Sequence, residues 1–290
     1  MSHGEALPGA IGRSGSVGLG LRDSMLDVEF AQLSDPGRVR KQNEDYLGNV
    51  LSETPAQARS HGWLFVLADG VGGQQKGEIA SRAAVECILA GFRAALGGES
   101  HLSLLPRLVK AANAKVYETG LADRGKGGGM ATTIVACALR FDRAVVGHVG
   151  DSRCYLVRRG HASLLTRDHT FANEQKRLGL LSAYEASEAS TRHVLSRSLG
   201  SDLFVAVETT EHQVHAGDVL LLCCDGLHGT VTSADIAHHV THNTDLKTAA
   251  EKLVALANER DGSDNISVQL IRIKAVERIG MYRGRPYKLR

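Results

Sequence analysis

The chain has 290 residues, 43% hydrophobic and 23% charged, the composition of an ordinary soluble globular protein with one large domain or two small ones. No window approaches the roughly 20 apolar residues of a membrane helix, which excludes a spanning segment of that kind. Its 34 basic and 32 acidic residues leave a formal charge of +2, too weak a field to recommend nucleic acid as a partner.

Residues 1–24 are rich in Gly and Ser and have no period, so a flexible leader is expected there; a basic start followed by a long apolar stretch, the mark of a secretory signal, is missing. From Leu26, LDVEFAQL alternates as a half-buried strand does, and SDPGR after it has turn chemistry. Further strands are predicted over 63–69, 132–140, 143–149, 152–158, 203–209, 218–224 and 265–273.

Helical patterns lie between them. Over 77–96, Ile79, Ala83, Cys87, Ala90 and Ala94 share one face, and over 104–122 Pro106 falls in the first turn, where its missing N–H costs nothing. Thr232 or Ser233 can cap a helix over ADIAHHVTH, and a second helix over LKTAAEKLVALANER ends at Gly262. Strands, two helices, many strands, two helices and a last strand is not the alternation of a parallel doubly wound fold. The hairpin signals RRG (158–160) and HAGD (215–218) point instead to antiparallel sheets packed with helices, an α+β class. With no linker of domain scale, one catalytic domain is expected over 25–274. A basic tail follows at 275–290, either solvated or a docking segment for an acidic partner.

The cysteines Cys87, Cys137, Cys154, Cys223 and Cys224 include no C-x-x-C pair and mostly lie in apolar runs, so they read as reduced core residues of a cytoplasmic protein.

The stretch VLADGVGGQQKGE (66–78) fails as a nucleotide loop. Gly72 and Gly77 have Walker spacing, but Glu78 follows and Lys76 stands on the wrong side; Gln75 breaks the dinucleotide pattern begun by Gly70 and Gly72. What recurs is an apolar strand ending in Asp-Gly, at Asp69-Gly70 and at Asp225-Gly226. Either alone is a common turn. Asp151 follows another strand, Asp264 and Asn265 precede one, and Glu44 and Asp45 lie ahead of YLGNV. Carboxylates that converge repel unless cations neutralise them, and all-oxygen ligation suits a hard ion such as Mg²⁺ or Mn²⁺.

The ordered set RVRKQNED (38–45), VLADGVGG (66–73), GGMATTIV (128–135), VGHVGDSR (146–153), LTRDHT (165–170), LSRSLG (195–200), GDVLLLCCDGLHG (217–229) and DGSDNISV (261–268) resembles the metal-dependent protein phosphatases, protein phosphatase type 2C, in their bacterial form. The likeness covers nearly all of 26–273. It implies an αββα sandwich of two antiparallel sheets flanked by helices, and hydrolysis of phosphoserine and phosphothreonine by a water bridging two Mn²⁺ or Mg²⁺ ions. In that scheme Asp69 bridges the ions, the Gly70 carbonyl is a further ligand, and Asp225 and Asp264 bind one ion. Asp45 holds water on the metal with help from Glu44, and Arg40 binds the substrate phosphate. Asp151 holds a third, weaker ion, and Asn265 supports the site. The partners implied are phosphorylated proteins, a serine/threonine kinase among them, with the enzyme itself a monomer.

Three positions depart from the family pattern. Val71 stands where many eukaryotic members carry a histidine proposed as general acid, which leaves a metal-held water as the proton donor. Ala131 replaces a usual glycine. His228 and Gly229 replace another acid, which weakens the case for a tight third ion. Residues 170–192 correspond to the variable flap, and Ser182 with Glu185 has capping-box spacing for a short helix there. His238 and His242, at i, i+4 spacing but without partner ligands, read as a solvated helix face, and Cys223 and Cys224 as packing residues on opposite sides of a strand. A catalytically silent phosphoprotein-binding module is the rival reading. It has no reason to keep Asp45, Asp69, Asp225 and Asp264 together.

Overall fold

The computed structural model describes residues 13–16, 26–71, 76–122, 129–282 and 285–288. In chain order these form β1 (Arg13–Ser16), β2 (Asp27–Asp35), β3 (Asp45–Val50), α1 (Pro55–Ser60), β4 (Trp63–Val71), α2 (Gly77–Arg93) and α3 (His101–Ala122). A run of strands follows: β5 (Ala131–Thr132), β6 (Ile134–Arg140), β7 (Arg143–Val149), β8 (Arg153–Arg158) and β9 (His161–Leu164). The rest comprises α4 (Phe171–Arg177), α5 (Ala183–Glu188), β10 (Glu208–Gln213), β11 (Val219–Cys223), α6 (Asp225–His228), α7 (Ser233–His242), α8 (Leu246–Arg260), β12 (Ile266–Ala275), β13 (Ile279–Tyr282) and β14 (Arg285–Lys288).

One sheet runs β1-β2-β12-β11-β8-β9 and the other β10-β7-β6-β4-β3, with β5 paired to β4; every pairing is antiparallel. The apolar run of β4 shows why they stack. Trp63, Phe65 and Leu67 face the other sheet, among Phe30, Leu220, Leu222 and Ile271, while Leu64, Val66 and Ala68 face Ile88 and Phe92 of α2 and Leu105 and Leu108 of α3. A strand covered on both sides is apolar throughout, at about 1.5–3 kcal/mol for each large side chain removed from water. On the far side of the first sheet, Leu221, Cys223, Val268 and Leu270 pack against Ile236 and Val240 of α7 and Leu253 and Val254 of α8. The layers are helix, sheet, sheet, helix, as expected. All five cysteines are free, and Cys223 and Cys224 lie in different core clusters on opposite faces of the first sheet.

Several local expectations hold. RRG is a two-residue hairpin turn between β8 and β9, with positive φ at Arg159 (51°) and Gly160 (77°), as the twist of the flanking strands requires. Thr232 and Ser182 cap α7 and α5, each with a reciprocal capping box.

Others are corrected. HAGD is not a hairpin: β10 belongs to one sheet and β11 to the other, so this turn carries the chain between layers. The predicted strand over 203–209 overlaps β10 only at its start. Leu203 and Phe204 are apolar but 50% and 87% exposed, and the true edge strand, ETTEHQ, is polar because it pairs on one side only. β3, an edge strand, was not among the predicted strands. In α2 the buried stripe is Ala80, Ala84, Val85, Ile88 and Phe92, whereas Ile79 is exposed; the weaker apolar stripe runs beside the one that carries the larger side chains. α3 starts at His101, and Pro106 lies past its first turn.

Of the expected leader, Arg13–Ser16 pair with Glu29–Gln32 on β2, and the remainder lies outside the described residues. In the expected tail, β13 and β14 form an antiparallel hairpin, and the buried Glu277 just ahead of it pairs with Arg59 of α1 at 3.1 Å. Among the described residues no helix is long and apolar enough to cross a membrane.

Candidate metal centre

Register places the first two acids. β3 pairs with β4 so that Asp45 lies directly opposite Asp69. Asp45 is only 7% exposed, and neither of its carboxylate oxygens has a hydrogen-bond partner. One ligand atom each from Asp45, Asp69 and Cys224 lie within 4.8 Å of one another.

The backbone around Asp69 is held from several directions. Its N–H donates to Thr133 Oγ1 at 3.0 Å, and its carbonyl accepts from Thr133 N–H and Thr132 Oγ1, both at 2.8 Å. Thr133 Oγ1 in turn lies 2.7 Å from Ser152 Oγ, which links β4 to the turn bearing Asp151. The following Gly70 donates its N–H to the Glu44 carbonyl at 3.1 Å. A Cβ at Gly70 would lie 2.3 Å from the backbone of Gly77, so glycine alone lets the start of α2 close over this strand.

Asp225 is the first residue of α6, after Cys224 in extended backbone leaves β11. Asp151 follows β7 and Gly150, is 6% exposed, and its carbonyl accepts from His228 Nε2 at 3.0 Å. Asp264 sits on the rim: Oδ2 accepts from Arg40 Nη2 at 2.8 Å, and Oδ1 from the N–H of Asn265. Asn265 is the joint of this corner. Its Oδ1 accepts from Glu44 N–H at 2.8 Å, and its Nδ2 donates to the carbonyls of Pro36 and Gln42, so the strand start at β12 fixes the loop that carries Arg40, Glu44 and Asp45. The Glu44 carboxyl itself is turned toward Gly77, 2.9 Å from where a Cβ on that glycine would stand.

Burial and mutual repulsion raise these acids together. Burial pushes Asp45 up to about 7, offset in part by the nearby Ser267 and Cys224 side chains and reinforced by the charges of Asp225 and Asp264; burial, then the charges of Asp225 and Asp168, pushes Asp151 up to about 7. Asp69 stands well above the usual carboxylate range from burial and the charges of Asp45, Asp225, Asp151 and Asp264, and Asp225 is raised by burial and by Asp264. Burial also raises Glu44, opposed by Arg40. Converging acids with orphaned buried oxygens are what a divalent cation neutralises, and the oxygen-rich set fits Mn²⁺ or Mg²⁺.

Sequence reasoning missed the thiol beside Asp45 and Asp69, the hydrogen bond from His228 to Asp151, and His193, whose charge bears on Asp225. The CCDG quartet carried the signal for the first, since the residue before Asp225 has to turn off the strand beside it. A second cluster, His148, His169 and Glu208, has ligand atoms equally close but already engaged. His169 Nδ1 accepts from Gly150 N–H, which leaves the proton on Nε2 facing Glu208; Arg167 holds Glu208 at 2.8 Å; His148 stacks on His169 and bonds the Arg167 carbonyl. That cluster buttresses Gly150. His238 and His242 are exposed on α7 with ring centroids 4.3 Å apart, the solvated face expected.

The sequence model of protein phosphatase 2C matches residues 39–270. The chain belongs to the protein phosphatase 2C family. It is 32% identical over 257 residues to the serine/threonine phosphatase stp of Listeria innocua, covering 87% of this chain and 96% of that one. It also superposes on the serine/threonine phosphatase of S. agalactiae with a TM-score of 0.76 and 34% identity, covering 85% and 99% of the two chains. The catalytic domain of the phosphatase PstP, solved in complex with two manganese ions, aligns with a TM-score of 0.73 and 30% identity, covering 86% and 99%. Every acid of the cluster, and Arg40, falls inside the span matched by the protein phosphatase 2C model.

Proposed function

We propose that this protein is a serine/threonine phosphatase that hydrolyses phosphoserine and phosphothreonine in proteins by direct attack of water, with Asp45, Asp69, Asp225 and Asp264 as its catalytic acids. The observation that carries the reading is the pair Asp45 and Asp69, opposed across β3 and β4, the first buried and the second partly so, with Asp225 and Asp264 close enough to raise them. Asp69, the Gly70 carbonyl, Asp225 and Asp264 would hold two Mn²⁺ or Mg²⁺ ions, Asp45 would hold their water, and Asp151 would serve a third, weaker ion. When bound, such ions supply an activated water and charge for the phosphoryl oxygens.

The chain's own groups do the rest. Arg40, beside Asp264 at the rim and half exposed, presents a guanidinium fork to the substrate phosphate. Asn265 keeps Arg40 and Asp45 in register through the loop it ties down. Glu44 helps through its backbone, which bonds Gly70, Ser81 and Asn265 at once. Val71 has no proton to give the departing alkoxide. The free cysteines support work in a reducing cytoplasm. The protein would act as a monomer, with a serine/threonine kinase among its phosphorylated partners.

Phosphate release from a phosphothreonine peptide tests the reading. Turnover that needs Mn²⁺, stops in chelator and is lost in Asp225→Asn is expected; folded protein with no turnover in Mn²⁺ or Mg²⁺ would favour the silent binding module.

A further inference from the structure

The exposed face of α7 carries more than a pair of solvated rings. His238 and His242 stand one turn apart on it, with ring centroids 4.3 Å apart and ring planes tilted by 31°. The sequence offers them no partner, but the fold does. The hairpin of β8 and β9 lays His161 along the same groove, a trough of about 430 Å³ between β9 and α7. Ala162, Ser233, Ala237 and Thr241 help to wall it, and none of the described residues lining it is ionisable except the three histidines. His242 Nδ1 lies 2.9 Å from the His238 carbonyl, which can only accept, so the ring proton sits on Nδ1 and Nε2 keeps its lone pair. Among the described residues that Nε2 has no hydrogen-bond partner, nor do the ring nitrogens of His161 and His238.

We propose that His238, His242 and His161 form a binding site for a divalent transition-metal ion such as Zn²⁺, Ni²⁺ or Cu²⁺, separate from the catalytic centre. Imidazole nitrogens suit these ions, whereas Mg²⁺ and Mn²⁺ prefer the oxygens of the carboxylate cluster, so the two places sort ions by ligand chemistry. A bond from one ring nitrogen to a backbone carbonyl is what fixes the tautomer and aim of a metal-ligating histidine, and at His242 it is already made. His238 and His242, on one helix face, are the chelating pair. His161 joins them by rotation of its exposed side chain, and water completes a tetrahedral sphere around Zn²⁺. Strand direction separates this groove from the carboxylates. His161 pairs with Arg158 at the end of β8, whereas Arg153 at its start follows the turn of Asp151. At about 3.3 Å per residue the strand puts roughly 17 Å between the groove and that turn. The site is independent of the phosphatase reading.

The test uses the full chain in excess Mg²⁺, titrated with Zn²⁺ and followed by nuclear magnetic resonance of the histidine rings, with signals assigned from the single variants below. The rings of His238, His242 and His161 are expected to shift on one shared binding curve. Zn²⁺ affinity should fall at least about tenfold in each of His238→Gln, His242→Gln and His161→Gln. His239 meets His238 edge-on at 5.3 Å but does not line the groove, so His239→Gln should bind as the native chain does. Thermal melts show that each variant is folded, and Mn²⁺-dependent turnover should be unchanged in His242→Gln. Rings that shift on separate curves, no shift in the native chain, or unchanged affinity in His242→Gln overturns the site. So does a shift confined to His193, whose charge bears on Asp225, since Zn²⁺ would then sit only in the carboxylate cluster. Turnover lost in folded His242→Gln overturns the separation from the catalytic centre.

Discussion

Asp45 and Asp69 face each other across an antiparallel strand pair, Asp45 buried and Asp69 partly so, with no basic residue of the described chain hydrogen-bonded to either. This arrangement is unfavourable without a cation, and the expected behaviour of the protein follows from that.

Asp69→Asn should abolish phosphatase activity, by at least about a hundredfold if it is a direct ligand. The same change removes one of several repelling charges. In chelator at neutral pH the variant should therefore melt above the native protein, by about 2–4 °C for each kcal/mol of repulsion relieved. Thermal melts with and without Mn²⁺ check this: the variant should gain in chelator and lose the rise that Mn²⁺ gives the native protein.

Arg40→Ala should act on substrate rather than on stability. Its ion pair with Asp264 is about half exposed and contributes at most about 1 kcal/mol. A charge-assisted hydrogen bond to phosphate contributes about 1.5–3 kcal/mol, so KM for a phosphopeptide should rise roughly 10- to 100-fold with kcat little changed. Steady-state kinetics separate the two parameters, and an intact KM with a collapsed kcat would move Arg40 from binding to chemistry.

Asn265→Ala should be costly at a distance from any reacting atom. It leaves the Glu44 N–H and the carbonyls of Pro36 and Gln42 without their partner, at about 1–3 kcal/mol for a buried group left unsatisfied. The midpoint of urea unfolding should drop, and Mn²⁺ affinity should weaken with it as the loop bearing Asp45 loosens.

Asp45 has a folded pKa raised from 3.8 to about 7, so the folded state holds its proton where the unfolded state has lost it. Its contribution is fully present below about 4 and is lost as pH rises to about 7. His101, His169 and His228, lowered by burial to about 4, slope the other way below 6.5. The difference between native protein and Asp45→Asn isolates the carboxylate. In chelator, the advantage of the variant should grow from pH 4 to 7 and then level off, and Mn²⁺ should remove it.

Much of this was legible in the sequence, for reasons that differ by element. LFVLA is apolar throughout because β4 is covered on both faces, and the capping boxes at Ser182 and Thr232 are local chemistry that no tertiary contact overrides. The acids could be named from their motifs. Their convergence could not be read from spacing, because it depends on the register of β3 on β4 and on Asn265, which reaches 221 positions back to Glu44. The sheet change at HAGD, the polar edge strand β10 and the buried stripe of α2 were misjudged because each is decided by which layer packs against it. Cys224 reads as packing in sequence, and only the fold puts its sulfur beside two carboxylates.

The measurement closest to the central claim is a Mn²⁺ titration of chelator-stripped protein, with bound metal and phosphopeptide turnover followed in the same samples. Two ions bound per chain, turnover rising with occupancy, and both lost in Asp69→Asn are the expected results. Full turnover in stripped protein, or unchanged binding and activity in Asp69→Asn, would contradict the assignment of this carboxylate cluster as the catalytic metal centre.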